Sequence, residues 1–593
     1  MEKKKTFCAF CSLECDLAVR MPEISPYFSK TGIMEQDFDL ESVTQGSICA
    51  KGNFTSDYIN HTKRLGYAER RHNVISTEEA FDRIKASISQ VQSKHGKDSV
   101  GIIAGGNVSR EEISWVRKLA ADGLKTDNFG FFLPDDGMVA AGLLANGYGF
   151  KRPSLDDLQK ADNILIVGDA FYEHPVIAKK VLQARYEDRR HALVVIDPRY
   201  SNTAWFADVH LQCKPGAEGL VLMAIASLTI KEKKGDFEKL LSKLDIKDIA
   251  QKAGVSTGAI QRAADIVNGS ENLAVLISDI YGKIGSPDVC SVYCGVIANS
   301  DPHKRHFYPI FINQSVFPIT ALRAENGFAG AARILEEVVK GKVKGLIVLG
   351  VDLLASFPSP EMEKALKNLE FFCCSDTFHS ETNGLTDILL PAANPIENKG
   401  TWSDLDGKNN KREQLLKPPA AGMTDEEILK NLYKHILPSG NGFEPERFED
   451  IAEIRVVDSY KKAALESAEK LLAFKDIAGK QFPFVLITKA IASHWADGSL
   501  TRRFIWNKEH SSVPVAEIHP NAAEKLGIKD GQKITITSES GKIKLPVLLT
   551  HRIREDMVAV DYHWPEARKL FSLRVSKGSG ELINEPIAVS ISK

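Results

Sequence analysis

Four cysteines constrain this chain more than any other feature. Three stand at Cys8, Cys11 and Cys15 in CAFCSLEC (8–15), and the fourth, Cys49, follows in GSICAKG (46–52). The spacing is C-x2-C-x3-C-x33-C. Thiolates select soft metals, so the candidates are zinc and iron–sulfur. Zinc ribbons use two short cysteine pairs, a two-plus-two arrangement. Here the arrangement is three-plus-one. It suits a [4Fe–4S] cubane, in which one tight loop wraps three irons and a remote segment closes on the fourth. A zinc site and four unliganded thiols are the alternatives, and the latter leaves the grouping to chance. A cluster moves electrons singly, so a redox partner is implied. Lys51, two residues after Cys49, either places a cation between the cluster and an anionic group or is an ordinary surface lysine.

The remaining cysteines, Cys213, Cys290, Cys294, Cys373 and Cys374, are scattered and read as small buried hydrophobes. Nine cysteines in 593 residues are too few for a disulfide framework. That length calls for several cores, about four domains. The net charge of −2 gives no reason to expect nucleic acid or an acidic membrane surface. The basic start MEKKK runs into Thr6-Phe7-Cys8 with no apolar stretch behind it, so it does not read as a secretory signal. The pairs Arg70-Arg71 and Arg189-Arg190 are internal. No run of 18 apolar residues suggests a membrane span. The expected compartment is the cytoplasm.

The middle of the chain reads as α/β. SVGIIAGGN (99–107), NILIVGD (163–169), ALVVIDPR (192–199), NLAVLISD (272–279) and GLIVLGVD (345–352) are short continuous apolar runs alternating with helical stretches. Such runs are the signature of buried parallel strands. Ser109 is placed to cap the helix after the first, and 177–185 forms a crossover between the second and third. Asp169, Asp197, Asp279 and Asp352 fall at strand ends, the edge where open α/β sheets bind ligands. Gly105-Gly106 reads either as a turn that brings backbone N–H groups to a phosphate or as a plain strand–helix turn. From Phe482 the texture changes to short alternating strands with Asp530-Gly531 and Ser540-Gly541 turns. This predicts a six- or seven-stranded barrel-like domain, preceded by a charged helical connection. No internal repeat or low-complexity tract is present.

These blocks together resemble the molybdenum/tungsten bis-pterin oxidoreductases of the DMSO-reductase superfamily. The similarity is greatest to formate dehydrogenase catalytic subunits and the large iron–sulfur subunit of complex I. It runs from the N-terminal cysteines through ADNILIVGDAFYEHPV (161–176), DPRYSNTAWFAD (197–208) and LTDILLPAANPIENKGTWSDLDGK (385–408) to LITKAIASHWADGSLTRR (486–503) and NAAEKLGIKDGQKITITSESG (521–541). The resemblance implies an N-terminal [4Fe–4S] domain (1–60) and a discontinuous α/β domain (61–133 and 335–440). It also implies a second Rossmann-like parallel-sheet domain (134–334), a connecting segment (441–478) and a β-barrel-like dinucleotide-binding tail (479–593). A Mo- or W-bis(pterin guanine dinucleotide) would lie in a funnel between them. Lys51 would fall between cluster and pterin, Gly168 would admit the cofactor to the backbone, and Asp197 and Asp352 would accept from guanine or ribose. His174, His494, Ser499, Thr501 and Arg502 complete the implied cofactor contacts.

At the metal the chain departs from the resemblance. The segment where formate dehydrogenases carry cysteine or selenocysteine followed by histidine corresponds to FFLPDDGMVAAG (131–142), which holds no Cys, Ser or His. Asp135 offers a carboxylate ligand for Mo or W, while PDDG equally makes a turn. LRAENGFAGA (322–331) resembles an arginine-bearing motif, which would put Arg323 at the substrate funnel to hold a small anion such as formate. Two readings follow. One is an oxidoreductase that passes electrons from its pterin site through the cluster to an iron–sulfur or flavin partner subunit. The other is a relay or scaffold subunit that keeps the fold and the cluster without the metal. A non-redox hydratase or hydroxyl transferase is a third, weaker option.

Overall fold

The computed structural model describes residues 3–20, 35–42, 44–133, 154–278, 283–311, 313–326, 330–403, 405, 408–437, 458–576 and 581–593. Asp135 and its neighbours Pro134 and Asp136 lie outside the described residues, and of Arg323 the backbone alone is described. The chain divides into two compact units. One comprises Met1–Leu133, Asn313–Ala452 and Ser499–Ile505, and the other Pro134–Ile312, Glu453–Gly498 and Trp506–Lys593.

The first unit holds a seven-stranded sheet. Its strands run in the order Asn73–Ile75, Ala68–Arg70, Ile388–Pro391, Phe371–Asp376, Gly345–Leu349, Val100–Gly105 and Phe129–Phe132. The last five are mutually parallel, and the first two form an antiparallel edge. Sequence-distant strands share the sheet because each apolar run needs both faces covered. Helix Thr77–His95 covers part of it with Ala80, Phe81, Ile84, Ile88 and Val91, one stripe at helical spacing. Ser76 caps this helix by accepting from Glu79 N, and Gly96, at φ +90°, ends it. Ser109 caps helix Arg110–Lys118 as its sequence suggests, in a reciprocal box with Glu112.

The same unit carries a three-stranded sheet (Lys3–Phe7, Asp16–Arg20 and Glu35–Asp37) and a two-stranded ribbon (Gly400–Ser403 and Asn409–Arg412).

The second unit has an all-parallel five-stranded sheet in the order Val209–Leu211, Ala192–Ile196, Asn163–Val167, Leu273–Ser278 and Arg305–Ile310. Every residue of Leu273–Ser278 is buried. Helix Pro175–Glu187 makes the crossover between Asn163–Val167 and Ala192–Ile196, and Pro175 opens it at a position that needs no N–H donor. The tail is a closed barrel of six strands: Phe484–Lys489, Met557–Asp561, Ala516–Ile518, Lys542–Leu549, Lys533–Thr537 and Ile587–Ser592. Ile534, Ile536, Leu545, Val547, Val558 and Val560 fill its core. Alternation within Lys533–Thr537 puts Ile534 and Ile536 inside. The mixed α/β architecture with its barrel tail is the fold class that the sequence implies. Among the described residues no helix is long and apolar enough to cross a membrane.

Candidate functional site

The cysteines sit on a hairpin and a helix start within the first unit. Strands Lys3–Phe7 and Asp16–Arg20 pair with Phe7 opposite Asp16, and Cys8 N donates to Cys15 O at 2.8 Å. The loop between them carries Cys11, and Glu14 turns it with φ +45°. Cys49 stands immediately before helix Ala50–Asn53. A Cβ at Gly52 would meet Cys8 Sγ at 3.2 Å and Ile48 at 2.6 Å, so the glycine of CAKG lets this turn press against the first ligand.

Cys8, Cys11 and Cys15 are buried and Cys49 is partly exposed. Burial pushes all three buried thiols above their ordinary range, Cys11 to about 12, and their mutual repulsion as thiolates adds to it. Thiols held this high ionise together only around a compensating cation, which iron supplies. No three of these sulfurs lie within 4.8 Å of one another. A single ion about 2.3 Å from each thiolate would draw them to about 3.8 Å. The cradle therefore fits a polynuclear cluster and not one zinc.

Lys51 is 4% exposed, and its charge eases the ionisation of Cys11. The structure buries this lysine in helix Ala50–Asn53, two residues after Cys49. Phe10, Tyr58 and Phe504 form an aromatic floor, with Tyr58 and Phe504 stacked at 6.1 Å and 18°.

Several residues that the sequence does not single out fasten the cradle. Gln314 Nε2 donates to Cys8 O at 2.9 Å, and Asn107 Nδ2 donates to Ala9 O at 2.9 Å. Asn107 Oδ1 accepts from Gln314 N, and Asn107 O accepts from Trp402 Nε1. The Gly105-Gly106 turn thus delivers Asn107 to the cluster loop, and Gly106 O accepts from Ser315 N at 3.1 Å. Arg412, fully buried, lies 4.1 Å from the ring centre of Phe7 and 4.4 Å from that of Trp402. Arg64 pairs with Glu397 through two bonds of 2.5 and 2.6 Å.

The carboxyl edge of the seven-stranded sheet carries Asp352 and Asp376. Asp352 Oδ1 caps helix Leu353–Ser356 through Ala355 N and accepts from Thr382 Oγ1. Burial, then the neighbouring Asp352, pushes Asp376 up to about 7. Of the tail residues singled out by sequence, Ser499, Thr501 and Arg502 group with this first unit. Thr501 is buried, and Phe504 beside it packs on the aromatic floor. Arg503, not anticipated, donates to Ser499 O and His379 O and lies 4.4 Å over Phe378.

In the second unit the carboxyl edge of the five-stranded sheet gathers Gly168, Asp169, His174 and Asp197. Gly168 has φ +92°, and a Cβ there would stand 2.2 Å from Ser278 O. Its conformation is required by the neighbouring strand, whatever else approaches it. His174 is buried at the start of helix Pro175–Glu187. Asp169 accepts from Thr203 N and Oγ1, Arg199 bonds Glu517 at 3.0 Å, and Lys283 bonds Glu173 at 2.8 Å.

Arg199 and Lys283 are thus already neutralised within the protein. Asp197 is fully buried, and its Oδ1 accepts from Arg199 N while Oδ2 has no hydrogen bond. Glu218 is likewise buried with Oε1 unbonded, and burial raises its carboxyl to about 8. Unsatisfied buried acceptors are costly. The carboxylate oxygen Asp197 Oδ2 is an open acceptor that suits an N–H donor of the kind guanine carries, whereas Glu218 keeps its proton at neutral pH. His494 is buried, near Ser511 and Asn507, and stacks on His563 at 5.2 Å.

Comparison with known proteins gives three family matches in chain order. Residues 1–61 match the molybdopterin oxidoreductase Fe4S4 domain, 68–435 the molybdopterin oxidoreductase family, and 484–588 the molydopterin dinucleotide binding domain. The chain is similar to the F420-dependent formate dehydrogenase subunit alpha of Methanocaldococcus jannaschii, at 25% identity over 95% of each chain. It is also similar to the assimilatory nitrate reductase catalytic subunit of Bacillus subtilis, at 25% identity over 97% of this chain and 94% of that one. Among solved structures, acetylene hydratase from Pelobacter acetylenicus shares the fold, with a TM-score of 0.73 and 16% identity over the whole of both chains.

Proposed function

The chain belongs to the molybdopterin oxidoreductase family, and we propose that it is a formate dehydrogenase-like subunit that delivers electrons to a separate electron-transfer subunit. The observation that carries this is the end-to-end match, cluster module included, to a formate dehydrogenase alpha subunit. Its cofactors are a [4Fe–4S] cluster and a Mo- or W-bis(pterin guanine dinucleotide). When bound, the pterin-held metal exchanges two electrons with substrate and the cluster carries them singly.

In this reading the protein groups divide the work. Cys8, Cys11, Cys15 and Cys49 hold the cluster, and Lys51 sets a buried positive charge beside it. Asp197 and Asp352 receive donors from the dinucleotides. Gly168, His174 and His494 in the second unit, and Ser499, Thr501 and Arg502 in the first, are cofactor contacts. Arg323, on helix Val316–Asn326, holds an anionic substrate by charge-assisted bonds. Asp135 is the candidate protein ligand to Mo or W. The partner carries iron–sulfur or flavin, and the compartment is the cytoplasm, where thiols stay reduced.

One feature favours a second reading, a relay or scaffold subunit without the metal: FFLPDDGMVAAG lacks the Cys-His pair of formate dehydrogenases. Elemental analysis of anaerobically purified protein, with released pterin assayed alongside, separates the two. About four irons with about one Mo or W, plus formate-dependent dye reduction, is the expected result. Four irons with neither metal nor pterin would establish the relay.

A further inference from the structure

We propose that Arg412 is a positioning residue for electron transfer, a desolvated cation fixed beside the cluster loop that holds the cluster's reduction potential up. The inference rests on the reading of the four cysteines as the cluster's ligands.

Arg412 ends the strand Asn409–Arg412, opposite Gly400 in the two-stranded ribbon. Its side chain is 2% exposed. No carboxylate lies within ion-pair distance of it among the described residues, and its Nε has no hydrogen bond. The guanidinium is instead clamped between the rings of Phe7 and Trp402, at 4.1 and 4.4 Å, and donates to Phe7 O at 3.4 Å.

A buried charge with no carboxylate in contact is expensive, and an apolar side chain of similar length would fill the space at less cost. The fold nevertheless spends two aromatic faces and a carbonyl on keeping the cation in place. Phe7 is the residue before Cys8, so the cation bears on the first ligand. Burial lowers the guanidinium only to about 10, and it stays charged at neutral pH.

A cluster on four thiolates gains negative charge when reduced, and a fixed cation in a low-dielectric setting favours that state. Other charges act on this loop and on Arg412: Lys51 and, opposing it, Asp16, Glu112 and Glu14, the last buried and accepting from Asn410 Nδ2 at 2.9 Å. Arg412 and Glu14 therefore act in opposite directions on one electron carrier.

The test is an EPR-monitored redox titration of the full-length, cluster-loaded protein. Arg412→Gln should lower the reduced-to-oxidised ratio at fixed potential about tenfold, a shift of about 59 mV for one electron. Arg412→Lys keeps the charge and should stay within about threefold of the parent. Glu14→Gln should move the ratio the other way. An unchanged ratio in Arg412→Gln with the cluster signal intact overturns the proposal, as does an Arg412→Lys variant displaced as far as the Gln variant. If Arg412→Gln does not load its cluster, Glu14→Gln decides. A raised ratio supports control by buried charge, whereas an unchanged ratio or a second failure to load assigns both residues to scaffolding. A parent protein with no four-iron signal would sink the cluster reading itself, a distinct failure.

Discussion

Replacing Glu397 by Gln attacks the pair that ties the end of the cluster module to the 394–398 turn. Arg64 Nη1 and Nη2 reach Glu397 Oε1 and Oε2 at 2.5 and 2.6 Å, with side chains 6% and 3% exposed. Oε2 also accepts from Asn394 N at 2.8 Å, and Arg64 Nη1 donates back to Ile59 O at 3.3 Å. In Glu397→Gln one oxygen becomes an NH2 group. It either faces the guanidinium donors or abandons Asn394 N–H, and the buried cation loses its counter-charge. Exposure this low means little solvent screening, so the cost is about 3–5 kcal/mol, the range for breaking one partner of a buried pair. That is about 150- to 5,000-fold in local opening. Amide hydrogen exchange at 59–65 and 394–398 reads it directly, without assuming two-state unfolding of a multidomain chain. The double variant Arg64→Met, Glu397→Leu removes both charges and should recover most of the loss, short of about 1 kcal/mol for the missing turn cap. Exchange within about threefold of the parent in the single variant would refute the reasoning. So would a double variant that exchanges as fast as the single one.

Three further outcomes follow from the geometry. Gly168→Ala places a methyl 2.2 Å from Ser278 O at φ +92°; it should cost about 3 kcal/mol and lower the thermal midpoint by several degrees, and an unchanged midpoint would show that the strands shift freely. Glu218 has a folded pKa of about 8, above an unfolded value of about 4.3, so the folded state retains the proton between those values and stability falls as pH rises through that window. Glu218→Gln should flatten the fall, gaining on the parent by on the order of 2–3 kcal/mol from pH 6 to pH 8; parallel pH profiles would contradict this. Gln314→Leu strips the Cys8 carbonyl of its donor, a loss of about 1–3 kcal/mol, and should speed cluster bleaching by a chelator at least severalfold; equal bleaching rates would remove Gln314 from the cradle.

Much of this was legible along the chain because its signals are local. The three-plus-one cysteines lie on one hairpin and one helix start. The parallel strands announce themselves as unbroken apolar runs, and the barrel strands as alternation in KITIT (533–537). Asp197 was legible from its place at a strand end, and the structure leaves its second oxygen open. Asp352 was legible as a strand-end acid, but one oxygen is already committed to a helix cap and Thr382. The fastenings of the cradle were not legible. Gln314 meets Cys8 across 306 residues, Asn410 meets Glu14 across 396, and Arg412 meets Phe7 across 405. No periodicity spans such distances, and an isolated Gln or Arg carries no local mark of burial. The turn at Gly105-Gly106 was ambiguous for the same reason: its role depends on Asn313–Ser315, encoded some 200 residues later.

The seven-stranded sheet sets an order of events during synthesis. Val100–Gly105 waits for its neighbour Gly345–Leu349, and the ribosome must first deliver the whole five-stranded sheet between them. That intervening body has its strands within 163–310 and is free to fold as soon as it emerges. The cysteine hairpin, made first, stays without Gln314 until more than half of the polypeptide has left the tunnel, and without Trp402 and Arg412 until more than two-thirds has. At an elongation rate of about 5–20 residues per second this leaves the thiols without their shelter for about 20–80 s. The complete cradle therefore forms only after Arg412 has emerged, and until then the hairpin's sulfurs stand open to oxidation.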